Sequence, residues 1–134
     1  MEDEMGEKKE YFVYMVKCED TSIYTGITKD IGQRMYDHYY QTEKGAKYTR
    51  SRRVVSVEMV WEAVSYSSAA RLEYAIKQLS RKQKLQLIEE PQKRCRDFFP
   101  KLEAELYLPR QEYVMDVPKL LKKVFLTVDK DTVI

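Results

Sequence analysis

Two tyrosines, Tyr14 and Tyr24, stand ten residues apart near the start of the sequence, and Arg34 follows ten residues after the second. His38 comes four residues later, and Glu73 lies in a segment from Ala69 to Ser80 that holds no other acid. Phenols and an imidazole can take or relay a proton, the imidazole with a reference pKa of about 6.5 and a phenol of about 10. A guanidinium binds phosphate oxygens in bidentate fashion and stabilises charge that builds there. A lone carboxylate can hold one Mg²⁺, an ion that keeps most of its waters. Such an ion is a Lewis acid on a phosphodiester and its leaving oxygen. Together these groups suit attack of water on a phosphodiester. Taken singly, each has an ordinary alternative: half-buried strand packing for the tyrosines, a solvated helix face for Arg34 and His38, a surface ion pair for Glu73.

The elements that would position them can be read from residue type and period. Tyr11 to Val16 is an apolar, aromatic and β-branched run of strand length, and Ile23 to Thr28 is a second, separated by the polar turn Glu19-Asp20-Thr21-Ser22. These runs predict a hairpin, with Gly26 marking a close approach or a strand end. Ile31, Met35 and Tyr39 recur every four residues and predict a helix over about 30–40, capped by Thr28 or Asp30. Arg34 and His38 then share one helix face. Residues 41–53 are polar and predict a loop. Val54 to Val64 predicts a third strand with Val55, Val57, Met59 and Trp61 on one face. Ser65, Ser67 and Ser68 offer caps for a helix from Ala69 to Ser80 with Leu72, Ala75, Ile76 and Leu79 inward. Ser80 can cap a shorter helix over about 81–90, with Leu85 and Ile88 inward and Pro91 as its stop. Beyond it, Phe98, Phe99 and Pro100 begin an amphipathic stretch, Pro118 suits a helix start, and Phe125 to Ile134 is read as a strand.

The chain of 134 residues is 43% hydrophobic and 34% charged, which fits one globular domain. Its 24 basic and 22 acidic residues nearly cancel, but they are unevenly placed. Residues 1–10 are acidic and read as a flexible lead, residues 11–88 are net basic, and residues 89–134 are balanced. No apolar run approaches the roughly 20 residues of a membrane helix, and the acidic start resembles no secretory signal. Two separated cysteines and one histidine are too few for a structural zinc site. With no export signal they point to an intracellular setting: cytoplasm or nucleoid, or the nucleus in a eukaryotic or viral system.

Phe12-Val13-Tyr14 and Tyr24-Thr25-Gly26 resemble the two-part signature of the GIY-YIG (URI-domain) endonuclease superfamily. Arg34, His38 and the segment Ala69-Ala70-Arg71-Leu72-Glu73-Tyr74-Ala75-Ile76-Lys77 follow in the family's order. Gly45-Ala46-Lys47-Tyr48-Thr49-Arg50 and Leu79-Ser80-Arg81 are similar to its small, single-domain branch. The resemblance covers about residues 11–90 and leaves 91–134 as a C-terminal extension. It implies an α+β fold, a three-stranded antiparallel sheet flanked by helices in the order β-β-α-β-α-α. It also implies metal-dependent cutting of one DNA strand per active site, with one Mg²⁺ or Mn²⁺. By position, Tyr14 would be the general base or would orient the water, with Tyr24 sharing that role. Arg34 would be the phosphate clamp, His38 a proton relay or phosphate contact, Glu73 the metal ligand and Gly26 a structural residue. The first motif carries Phe-Val in place of Gly-Ile. The chain also has no asparagine, whereas many members carry one near the domain end.

Lys44, Lys47, Arg50, Arg52 and Arg53 surround Tyr48, a pattern suited to phosphate contacts and base stacking. Arg71, Lys77, Arg81, Lys82 and Lys84 form a second basic group. Two other readings remain at this point: a nucleic-acid-binding module without catalysis, and an interaction domain using 91–134 to hold a protein partner or a second copy.

Overall fold

A computed structural model describes residues 10–42, 44 and 52–126. Four strands form one antiparallel sheet: β1 (Tyr11–Cys18), β2 (Ile23–Thr28), β3 (Val54–Ala63) and β4 (Tyr107–Pro109), in the order β2-β1-β3-β4. The helices are α1 (Ile31–Tyr39), α2 (Tyr66–Lys77), α3 (Arg81–Glu89), α4 (Pro91–Phe98) and α5 (Val117–Leu121). The α+β class and the β-β-α-β-α-α order stand. The expected three strands become four, because the extension places Tyr107–Pro109 against Trp61–Ala63 at the free edge of β3. A covered edge leaves fewer open backbone groups to pair with another chain.

β1 is the central strand, and Phe12 to Val16 are all buried, which explains its unbroken apolar run. Its alternate side chains feed two cores. Phe12, Tyr14 and Val16 join Ile31 and Met35 of α1 and Val117 and Leu120 of α5. Val13 and Met15 join Leu72 and Ile76 of α2, Leu87 of α3 and Phe99. One face of the sheet is therefore covered by α1 and α5, the other by α2, α3 and the end of α4. Burying each large aliphatic side chain contributes about 1.5–3 kcal/mol.

The caps follow the sequence closely. Asp30 caps α1 by accepting from Gln33 N at 3.0 Å. Ser65 caps α2, accepting from Ser68 N at 3.1 Å. Ser80 and Gln83 form a reciprocal capping box on α3, at 3.0 and 3.2 Å.

Five expectations need correction. In β3 the pairing with β1 slips by one residue between Met59 and Val57. That bulge turns Val57 to the α1 core while Met59 and Trp61 stay with the α2 core; Val55 is only half-buried. In α3, Leu87 is buried and Leu85 is 41% exposed. The helix is short and mostly polar, so its inward side was set by packing against α2 and Phe99. Pro91 opens α4 instead of only ending α3, as suits a residue lacking an N–H at a first helical position. α2 begins at Tyr66, earlier than Ala69, because Ser65 is the cap. Phe125 and Leu126 belong to a π-helical turn, Lys122–Leu126, and not to a strand; residues 127–134 lie outside the described residues.

Candidate active site

Tyr14 is wholly buried on β1, directly opposite Gly26 of β2. A Cβ on Gly26 would lie 2.7 Å from Tyr14 Cζ. The glycine is thus the floor on which the phenol ring rests. Across the ring, α1 presents Arg34 and His38 one turn apart. Tyr14 Oη lies 2.8 Å from His38 Nε2, and Arg34 Nε donates to the same oxygen at 3.4 Å. A guanidinium can only donate, which leaves the phenol proton free to be given to His38 when Nε2 carries none. We assign His38 accordingly as the Nδ1–H tautomer with Nε2 accepting.

The electrostatics agree with that assignment. Burial, helped by the Arg34 charge and opposed by Asp37, lowers the His38 pKa from 6.5 to about 4. The ring is neutral near pH 7 and free to accept. Burial also pushes the Tyr14 hydroxyl well above the usual phenol value, against the pull of Arg34. At rest the pair is a neutral phenol on a neutral imidazole. Arg34 is held further by its Nη1 donating to the Lys44 carbonyl at 2.5 Å. Asp37 is 7% exposed and accepts from Gln33 Nε2 at 3.3 Å and Thr42 Oγ1 at 3.1 Å. Those bonds fix the end of α1 that carries His38.

Tyr24 completes the aromatic wall. Its ring centroid is 6.3 Å from that of Tyr14 and 5.8 Å from that of His38. Glu73 comes from α2, on the opposite side of the sheet. Its Oε2 takes an ion pair from Lys77 Nζ at 3.1 Å, one helical turn on. Lys77 Nζ in turn lies 5.9 Å from the Tyr24 ring. The two halves therefore meet at the β2 edge. The sequence places Lys77 in the Glu73 segment and in a second basic group without giving it a place in the site; its four-residue spacing from Glu73 is the available signal.

Among the described residues no three His, Cys, Asp or Glu side chains cluster as a metal site. That donor set suits Mg²⁺ or Mn²⁺, which take one carboxylate together with waters and substrate phosphates. It does not suit zinc. The Glu73 carboxylate is one oxygen donor with its side chain a quarter exposed, which fits an ion that keeps most of its waters.

The basic loop is only partly within the described residues. Lys44 is exposed. Arg52 is paired with Asp20 at 3.0 Å, and the Arg53 guanidinium lies over the Tyr39 ring at 5.3 Å. Lys47, Tyr48 and Arg50 lie outside the described residues.

The model of the GIY-YIG catalytic domain matches residues 10–86, and the chain belongs to that family. A UPF0213 protein of Fusobacterium nucleatum is 44% identical over 87 residues, 65% of this chain and 85% of that one. A UPF0213 protein of Staphylococcus haemolyticus is 48% identical over 80 residues, 60% of this chain and 95% of that one. The solution structure of a UPF0213 protein from Bacillus halodurans is 36% identical, with a TM-score of 0.37, covering 67% of this chain and 97% of that one. The family match suggests a nuclease acting on nucleic acid. It ends inside α3, so the fourth strand and α5 lie beyond it. Among the described residues no helix is long and apolar enough to cross a membrane.

Proposed function

We propose that the chain is a DNA endonuclease that hydrolyses phosphodiester bonds by in-line attack of water. The observation that carries this reading is the shared oxygen of Tyr14, bonded to Arg34 on one side and His38 on the other. A water admitted to Tyr14 Oη, which is buried in the free protein and has to be uncovered as substrate binds, gives its proton to that oxygen as the phenol proton passes to His38 Nε2. The tyrosine ends the step neutral, so its raised pKa does not have to be overcome by a lasting phenolate. Arg34, fixed through Nε and Nη1, keeps N–H groups for a phosphate oxygen, where charge grows in the transition state. The Tyr24 ring walls the site and aids placement of the water. A divalent metal bound to Glu73 would supply Lewis acidity at the phosphate and its leaving oxygen. The leaving oxygen takes a proton from solvent, and the imidazolium releases its proton to solvent, which restores the neutral pair. Lys44, Lys47, Tyr48, Arg50, Arg52 and Arg53 would grip the DNA backbone, and Gly26 keeps the floor open for Tyr14.

The test is nicking of supercoiled plasmid and branched DNA in Mg²⁺ or Mn²⁺, wild type against Glu73→Ala. Cutting by wild type alone supports the reading. Equal cutting by both removes Glu73 from it. Salt-sensitive binding without cutting would make the chain a nucleic-acid-binding module.

A further inference from the structure

Lys77 stands inside the site without a role in the reaction above. Its ammonium is shared between the Glu73 carboxylate at 3.1 Å and the face of Tyr24, 5.9 Å from the ring centroid. Tyr24 in turn packs on both Tyr14 and His38. Lys77 thus occupies the gap where the α2 half of the site meets the α1 half. The Lys77 side chain is 47% exposed and that of Glu73 25%, so the cation can leave by rotating its stem while the carboxylate keeps its place on the helix. A dication on Glu73 and an ammonium at the same carboxylate repel each other strongly at such range. Neither Asp nor Glu occurs elsewhere on α2 to receive the displaced charge. The polyanion that brings compensating charge is the nucleic acid itself.

We propose that Lys77 is a stand-in cation for Glu73: it opposes metal binding in the free protein and moves onto a substrate phosphate when nucleic acid arrives. This rests on the reading of Glu73 as the metal carboxylate. Lys77 is a positioning residue in the free state and a phosphate contact in the complex. Metal and DNA then bind cooperatively, because each removes the charge conflict that the other faces, and the coupling is reciprocal. The free protein keeps its carboxylate paired, and the metal site is completed only on DNA.

The experiment counts free Mn²⁺ by its paramagnetic resonance signal in titrations of the whole chain, with and without a short DNA duplex. Wild type, Lys77→Met, Lys77→Arg and Glu73→Gln are compared. Without DNA, Lys77→Met should bind Mn²⁺ about tenfold tighter than wild type, a size usual for coupled sites. Lys77→Arg keeps the charge and should stay close to wild type. With DNA the gap between wild type and Lys77→Met should close. DNA affinity of Lys77→Met, measured in Ca²⁺, should show a log–log salt slope smaller by about one. Unchanged or weaker Mn²⁺ binding by Lys77→Met, while Glu73→Gln still abolishes binding, overturns the proposal and leaves the nuclease reading intact. Mn²⁺ binding that ignores Glu73→Gln removes the metal carboxylate and the proposal together. Thermal melts of all the proteins identify any variant that fails to fold; Lys77→Gln, which also removes the charge, then takes the place of Lys77→Met and is held to the same two outcomes.

Discussion

The two sides of the sheet solve different problems. On the α1 side, Tyr14 and His38 are wholly buried and bonded to each other. On the α2 side, Glu73 and Lys77 are partly in water and joined by a salt bridge. Proton transfer needs fixed distances and a set tautomer, which a dry, packed environment supplies. Capture of a hydrated ion and a phosphate needs groups that can lose water and change partner, which a solvent-facing pair supplies. On the proposed function, one half of the site is built for permanence and the other for exchange.

Removing either half should stop cutting, but with different side effects. Glu73→Ala should lower the cleavage rate by about 10³-fold or more while the melting temperature hardly moves, since surface pairs contribute only about 0–1 kcal/mol. Arg34→Ala should cost about 10²–10³-fold, as for loss of a preorganised oxyanion donor, and should also loosen the fold. Single-turnover cleavage and thermal melts read both. A Glu73 variant that unfolds the protein would erase the distinction.

The floor beneath the buried half offers a stability test. Gly26→Ala drives a methyl group into the Tyr14 ring, and overpacking of this kind costs about 1–3 kcal/mol. Urea midpoints should fall accordingly, and cleavage should fall with them because Tyr14 must move off His38. An unchanged midpoint would mean that the ring is not seated on the β2 backbone.

The same half predicts a pH effect. The His38 pKa of about 4 lies below its unfolded value of 6.5, so the unfolded chain binds the proton more readily. Stability is full above about pH 6.5 and falls as pH drops towards 4, by an amount on the order of 3 kcal/mol. His38→Gln should flatten that part of a urea-stability series between pH 7 and 4.5. The smallest effect belongs to the outer contacts: Lys44→Ala should reduce the salt slope of DNA binding by about 0.9, seen as a shift of less than threefold near physiological salt.

How much of this the residues announced differs by side as well. The hairpin, α1 and the pairing of Arg34 with His38 were legible because period and caps agreed. The contact between Tyr14 and Gly26 was not, because a hairpin's register depends on its turn, and a glycine in a strand has several possible reasons. In α2 the buried stripe was plain, yet the stripe says nothing of where Glu73 points. That follows only from β2 being an edge strand, a tertiary fact. The extension was least legible. Its β4 has three residues, too few for a pattern, and its buried core residues are scattered: Phe99 on one side of the sheet, Val117 and Leu120 of α5 on the other. Gly32 of α1 also lies under the tail: a Cβ there would come 2.8 Å from Val124 Cγ1. Residues beyond the family match thus buttress the helix that carries Arg34 and His38.

The central claim is that the two sides act as one site. A double-mutant cycle of Tyr14→Phe and Glu73→Gln, measured by single-turnover cleavage in Mg²⁺, tests it most directly. Residues acting as a unit are grossly non-additive, so the double variant should be little slower than the worse single one. Losses that multiply across the cycle, or full activity in either single variant, would contradict the claim.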